Sequence, residues 1–289
     1  MPSRQQIKQR IGSVKNTKQI TRAMQLVAAS KLRRAQDAAV GPTAYADLAR
    51  EILTRLRQVA ADDSEQGLFT DRPVKTRLLI VISSDLGLAG AYDANVIRRM
   101  LDEVKADRAK NINTLLITIG KKAAHAASRI SGVAVEAHYQ ELADKPDANA
   151  IRPVLNSLIS MFVERKVDAV DLIHTHYVST IAQQVAVQRL LPAGFQEVEL
   201  SNEISVADIE PSAEVLVRMA TERLIEAQVY QALLDSKASE HSMRMLAMKN
   251  ATDNASDLID DLTLVFNNAR QAAITQELAE ISGGVEAMK

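Results

Sequence analysis

From about Ser212 to Gly284 the chain carries no proline and no internal glycine. Through this stretch, mainly apolar positions recur three and four residues apart. They run from Val217, Ala220, Leu224 and Ala227 through Gln231, Leu234, Ala238, His241, Met245, Met248, Thr252 and Ala255 to Ile259, Leu262, Phe266, Ala269 and Ala273. That is the spacing of a coiled-coil seam. A helix of about 70 residues, rising about 1.5 Å per residue, is about 100 Å long. No compact domain buries a rod of that length. The pattern therefore calls for a partner helix of similar length or a cavity in another protein.

The chain start offers such a partner. Ile7, Ile11, Val14, Ile20, Met24 and Val27 recur near helical spacing, with a slip between Val14 and Ile20 where two seams can be drawn. A slip of this kind suggests packing against a nonuniform partner. Gly41-Pro42 is expected to interrupt or kink the helix, which resumes through Tyr45, Leu48, Ile52, Leu56 and Val59 and ends near Ala61. The two terminal helices are natural antiparallel partners, with the intervening chain forming a body at the end away from the termini.

Charge narrows the reading further. No Asp or Glu precedes Asp37, while Arg4, Lys8, Arg10, Lys15, Lys18, Arg22, Lys31, Arg33 and Arg34 all do. A solvated helix face is the plain reading; a run of one sign also invites an acidic partner. The whole chain has a formal charge of −1, with 3% aromatic residues and no tryptophan, so general nucleic-acid affinity and base-stacking platforms are not expected. Cysteine is absent, which excludes disulfides, thiolate metal sites and cysteine nucleophiles. No apolar run approaches the roughly 20 residues that cross a membrane. The basic N-terminus lacks the apolar core of a secretory signal.

The middle alternates strand and helix. Thr76–Ser83 reads as a buried parallel strand, followed by a helix from about Asp93 to Ala109. Asn113–Gly120 is a second strand, Lys121–Arg129 is helical, and Val133–Tyr139 is a third strand. A helix from about Ile151 to Arg165 precedes strands at Asp168–Val178 and Gln183–Leu191, with Phe195–Leu200 as a possible edge segment. This alternation predicts an α/β domain with a largely parallel sheet and an antiparallel edge. The expected domains are a helix region at 1–62, the α/β domain at 75–205 and a helix at 212–284.

Chemistry is sparse. The Ser83–Tyr92 loop follows a buried strand, where open sheets often bind ligands. It contains neither G-x-G-x-x-G nor G-x-x-x-x-G-K-[ST], and no Lys or Arg to hold phosphate, so a structural or docking loop is the better reading. Asp85 is expected to cap the next helix or bond the loop backbone. His174 and His176 share a strand face without an evident third metal ligand. His241 falls in the rod seam as a polar register point or a wet position. His125 and His138 have no evident partners. Glu277 and Glu280 stand three apart on a slender helix end that offers no pocket.

Three segments carry a specific likeness. Ile20-Thr21-Arg22-Ala23-Met24-Gln25-Leu26-Val27-Ala28-Ala29-Ser30-Lys31-Leu32 resembles the N-terminal signature of the ATP synthase gamma subunit family. Met248-Lys249-Asn250-Ala251-Thr252-Asp253-Asn254-Ala255 resembles another segment of that family, and Asn267–Ile281 its C-terminal signature. The resemblance implies a rotor: an antiparallel coiled coil of the terminal helices inside a ring of three alpha and three beta subunits. It also implies a Rossmann-like α/β middle domain beside the epsilon subunit and on the c-ring. Such a shaft couples ion-driven rotation of the c-ring to ATP synthesis or hydrolysis at sites on the alpha and beta subunits. It has no catalytic residue, cofactor, metal or nucleic-acid partner of its own, and is peripheral to the cytoplasmic side of a bacterial cell membrane through its partners. Arg22, Met24, Lys31, Arg270 and Gln271, by their positions in the signatures, are the implied inter-subunit contacts, with the basic run facing beta-subunit carboxylates. Where the family commonly has aspartate-arginine-glycine-leucine-cysteine-glycine-glycine, this chain reads Asp85-Leu86-Gly87-Leu88-Ala89-Gly90-Ala91. The alternatives are a non-catalytic coiled-coil adaptor outside an ATPase, an enzyme seated in the α/β domain, and a DNA-binding rod.

Overall fold

The structure, a computed structural model, describes residues 4–59, 68–69, 72–144, 148–194 and 213–287. In chain order the elements are α1 (Arg4–Val59), β1 (Thr76–Ile82), α2 (Tyr92–Ala109), β2 (Asn113–Ile119) and α3 (Lys121–Ala127). They continue with β3 (Ala134–Tyr139), α4 (Ala148–Val163), β4 (Ala169–Tyr177), β5 (Gln183–Leu191) and α5 (Ala213–Ala287). The chain divides into two compact units, one formed by residues 1–28 and 244–289 and the other by residues 29–243. The possible edge segment at Phe195–Leu200 lies outside the described residues.

In the first unit, stretches of α1 and α5 lie in close contact. On α1 the buried and half-buried positions are Ile7, Ile11, Val14, Lys18, Thr21, Gln25 and Ala28, with Met24 also half-buried. The three-four step is therefore regular, and the expected slip after Val14 is corrected. Lys18 and Thr21 keep the seam, while the apolar Ile20 and Val27 are 60% and 56% exposed. A polar residue is tolerated there because the buried Thr21 Oγ1 lies 2.8 Å from Thr252 Oγ1 of α5. On α5 every expected seam position in this unit, from Met245 through Met248, Thr252, Ala255, Ile259, Leu262, Phe266 and Ala269 to Ala273, is buried or half-buried.

The second unit holds a five-stranded sheet in the order β3-β2-β1-β4-β5. Strands β3, β2, β1 and β4 are parallel, and β5 pairs antiparallel with β4. Side-chain alternation along β1 divides the core. Leu78, Ile80 and Ile82 meet Ile151, Val154, Leu158 and Phe162 of α4 and Ile225, Val229 and Leu233 of α5. Leu79 and Val81 meet Val96, Met100 and Val104 of α2 and Ala123 and Ala127 of α3. Burial on both faces is why β1 reads as an unbroken apolar run.

One polar device fixes the starts of β1 and β4. Asp168 accepts the backbone N–H groups of Lys75 and Thr76 at 2.9 Å each and pairs with Arg72. Burial works to raise its carboxyl, but these amides and Arg72 hold it below the usual range. The Arg72 guanidinium also stacks 4.5 Å over the Phe162 ring.

α1 is helical throughout, so Gly41-Pro42 does not interrupt it. Proline removes one helical hydrogen bond. Buried residues on both sides, Leu32 and Ala35 before it and Ala49 and Thr54 after it, hold the flanking turns in place.

Candidate functional site

The inter-subunit candidates occupy different settings. Arg22 is exposed and donates to Gln25 Oε1 at 3.1 Å. It lines an open groove of about 550 Å³ with Lys15, Lys18, Gln19, Ala23, Leu26 and Ile259. The groove has an apolar floor and a rim of three cations and no anion. Met24 is half-buried beside the seam. Arg270 and Gln271 are exposed on α5, near its end. From Ile274 onward every residue whose burial is described is exposed. Within that stretch Ile274, Leu278 and Ile281 repeat the three-four apolar step at 45%, 59% and 64% exposure. Glu277 is exposed here, and the Glu280 side chain lies outside the described residues.

Lys31 differs from the other four. Its ammonium pairs with Asp144 Oδ2 at 2.9 Å, and Asp144 Oδ1 lies 2.7 Å from His241 Nε2. His241 is therefore a buried polar anchor, resolving the two readings of that position. His138 and His125 also have partners: Thr118 Oγ1 lies 3.1 Å from His138 Nδ1, and Arg129 lies 2.8 Å from His125 Nε2.

The Ser83–Tyr92 loop is tied down at several points. Ser83 Oγ accepts the Ala123 N–H at 2.9 Å, and Ser84 Oγ bonds Asp93 Oδ2 at 2.7 Å. Asp85 accepts the backbone N–H groups of Lys121 at 3.1 Å and Glu141 at 3.0 Å. It thus caps α3, rather than the helix that follows it directly, and joins the end of β3 to the loop. The tip remains open, with Leu86 and Leu88 at 69% and 61% exposure. Among the described residues, no group of three or more His, Cys, Asp or Glu side chains could hold a metal ion.

Sequence reasoning missed a polar run inside the second unit. Residues 232–242 of α5 are buried, including Asp235, Ser236, Lys237, Ser239, Glu240 and Ser242. The serines, three apart, bond one hairpin. Ser236 Oγ accepts the Thr175 N–H at 3.2 Å, Ser239 donates to Thr175 O at 3.4 Å, and Ser242 donates to Thr180 O at 2.7 Å. Lys237 and Glu240 neutralise one another at 3.3 Å. The one signal in the sequence was the serine spacing, which looks identical to a solvated face.

His176 and Asp235 meet at 2.7 Å. His174, on the same strand face, is buried with an unpartnered Nδ1. Burial depresses its pKa, and His176 adds to that while Asp235 opposes it. The folded chain thus binds a proton at His174 less readily than the unfolded chain. Stability should fall as pH drops below about 6.5. Urea unfolding of His174→Leu should show a shallower loss between about pH 7 and 5 than the parent chain. An equal loss in both contradicts this assignment.

The comparisons agree with this architecture. A family profile described as ATP synthase matches residues 3–288. The ATP synthase gamma chain of Stenotrophomonas maltophilia (strain R551-3) is 39% identical over 288 residues, covering 100% of both chains. That of Chloroflexus aurantiacus (strain ATCC 29366 / DSM 635 / J-10-fl) is 40% identical over 290 residues, covering 100% of this chain and 99% of the other. A chain of the Euglena gracilis mitochondrial ATP synthase, in an OSCP/F1/c-ring structure, has a similar fold. Its TM-score is 0.69 at 18% identity, over 98% of this chain and 93% of that one. A chain of the Tetrahymena thermophila mitochondrial central stalk and c-ring structure gives 0.59 at 24% identity, over 80% and 99%. With its whole length aligned to gamma chains and its terminal helices in contact as the signatures require, this chain belongs to the ATP synthase gamma chain family.

Proposed function

We propose that this chain is the central rotor shaft of a bacterial F-type ATP synthase. It couples ion-driven rotation of a c-ring to ATP synthesis or hydrolysis in a ring of alpha and beta subunits. The observation that carries the reading is the full-length match to gamma chains. The terminal helices act as an antiparallel coiled coil, a reading supported by the Thr21–Thr252 bond and the regular seams. The sheet order β3-β2-β1-β4-β5 supports a Rossmann-like middle domain, here taken as 75–205 between helix regions 1–62 and 212–284. The chain is a non-catalytic subunit, without cofactor, of an ion-transporting ATPase.

The chemistry suits a shaft. Two paired helices resist bending and twisting better than one. Their surface is uneven: a basic groove lies at Arg22, and an apolar stripe at Ile274, Leu278 and Ile281. A surface lacking threefold symmetry presents different contacts to each of three surrounding catalytic sites. Rotation then shifts each site's conformational populations in turn. Beta-subunit carboxylates fit the basic run, which supplies steering and angular bias. Arg22, Met24, Lys31, Arg270 and Gln271 are contacts with alpha and beta subunits. Epsilon and the c-ring contact the α/β domain. Among the described residues no helix is long and apolar enough to cross a membrane. As a shaft of a bacterial ATP synthase, the chain is held through its partners at the cytoplasmic side of the cell membrane.

The test is reconstitution with the alpha and beta subunits of a bacterial relative, alone and together with its membrane sector in vesicles. A stable complex that hydrolyses MgATP is expected. Arg270→Ala with Gln271→Ala should weaken assembly or ATP-driven ion pumping by about tenfold, the scale of losing one or two central interface contacts. Unchanged assembly, hydrolysis and pumping would contradict their role.

A further inference from the structure

We propose that Asp144 is a positioning residue that fixes both terminal helices to the α/β body, so that body and helices turn together. The proposal rests on the rotor reading and names the point where torque crosses between parts of the second unit.

Three elements of that unit converge on one carboxylate. Asp144 stands in the connection after β3, Lys31 comes from α1 and His241 from α5. Each carboxylate oxygen serves a different helix, Oδ2 the Lys31 ammonium at 2.9 Å and Oδ1 the His241 ring at 2.7 Å. His241 is almost wholly enclosed, with its side chain 3% exposed. Burial works to raise the Asp144 carboxyl, but Lys31 and His241 outweigh it and hold the group below its usual range. It is therefore charged at neutral pH.

What the clamp adds is direction. The α5 junction also holds the serine ladder to Thr175 and Thr180, the His176–Asp235 contact and apolar contacts. For α1, another polar tie within this unit is Gln36 Nε2 to Tyr177 Oη at 2.9 Å. Apolar packing is non-directional and tolerates small rotations. A charge-assisted fork holding two helices by opposite oxygens is short and angle-dependent. Rotation of either helix about its own axis breaks its arm of the fork. Torque applied to the body would otherwise be absorbed as slip, with ATP hydrolysed and fewer ions moved.

The experiment uses membranes of a bacterium whose own gamma chain is replaced by this one. ATP hydrolysis and ATP-driven membrane potential are measured together, so no coupling ion need be assumed. Asp144→Ala should retain hydrolysis within about twofold and lose about fivefold in potential generated per ATP, as expected when hydrogen bonds to a charged group are removed. Asp144→Asn, which keeps an acceptor for His241, should lie between Asp144→Ala and the parent. Exchanging the pair, Lys31→Asp with Asp144→Lys, should recover at least about half of the lost ratio, since the restored pair again joins α1 to the loop. The proposal is overturned if every assembled variant keeps the parental ratio, or if the exchange does no better than Asp144→Ala. Failure of all three variants to assemble also overturns it, by assigning Asp144 to folding alone. A parent chain that assembles and hydrolyses ATP without generating potential contradicts the rotor reading itself, and the clamp falls with it.

Discussion

Gly120→Ala should destabilise the α/β body by about 3–5 kcal/mol, the range in which backbone strain and overpacking add. Gly120 joins β2 to α3 with φ at +97°, where an L side chain is strained. A Cβ there would stand 2.2 Å from Ser83 O and 2.7 Å from both Ser83 C and Ser83 Oγ. These atoms cannot retreat easily. The Ser83 N–H donates to Ile119 O at 2.8 Å, and its Oγ accepts from Ala123. On the other side, Gly120 N–H is committed to Tyr139 O at 2.8 Å. The thermal midpoint should fall by about 10 °C in a domain of this size. Gly87→Ala is the matched control. Its nearest neighbour is the mobile Lys122 Nζ at 3.8 Å, so the change should stay within about 1 kcal/mol. Equal midpoints for the two variants would refute the steric account.

Asp171→Ala is the second large effect, expected to cost about 3–5 kcal/mol because it leaves a buried cation short of its counter-charge. Asp171 lies inside the sheet with its side chain 3% exposed, held between Arg77 of β1 and Arg189 of β5. Arg77 continues to Glu103 at 2.9 Å and Asp107 at 3.0 Å of α2, and Asp107 accepts the Thr114 hydroxyl at 3.0 Å. One network thus joins five elements, β1, β2, β4, β5 and α2. Burial works to lower the Arg77 pKa, but Asp171, Glu103 and Asp107 together raise it. Removing Asp171 therefore takes away the largest part of that compensation and leaves Glu103 and Asp107 to offset the burial cost. Arg189→Ala should cost about 1 kcal/mol or less, since that side chain is 46% exposed. Chemical denaturation of the two single variants and their double should show coupling, because they share a partner. Equal small losses would show that the network contributes little.

The sequence made the long helices and the strands of the body legible, because each has a period set by its surroundings. The α5 seam could be read from Val217 to Ala273 since one face of a helix pair repeats every three or four residues. The strands were legible because burial on both faces leaves runs such as Leu78–Ile82 wholly apolar. Asp171 was not, since a carboxylate inside such a run declares its partners only when Arg77 and Arg189 come beside it from other strands. The same limit hid the α1 seam at Lys18 and Thr21. Periodicity ranks Ile20 and Val27 as better core residues, and only the Thr21–Thr252 bond explains why they face outward instead. Lys31 is the case where a signature residue has an additional role. Its resemblance points outward to another subunit, while its partner in the structure is Asp144 within the chain. Asp144 had no local signal, because its meaning comes from helices about a hundred residues away on either side, a separation that no period can encode.

The most direct test of the rotor account is to watch the chain turn. Because the sequence contains no cysteine, Leu86→Cys at the open tip of the Ser83–Tyr92 loop provides a single attachment point for a bead. The variant is assembled with alpha and beta subunits fixed to a surface and supplied with MgATP. Unidirectional, stepwise rotation of the bead, stopping when ATP is withdrawn, is the predicted result. A stable complex that hydrolyses ATP while the bead stays still would contradict it.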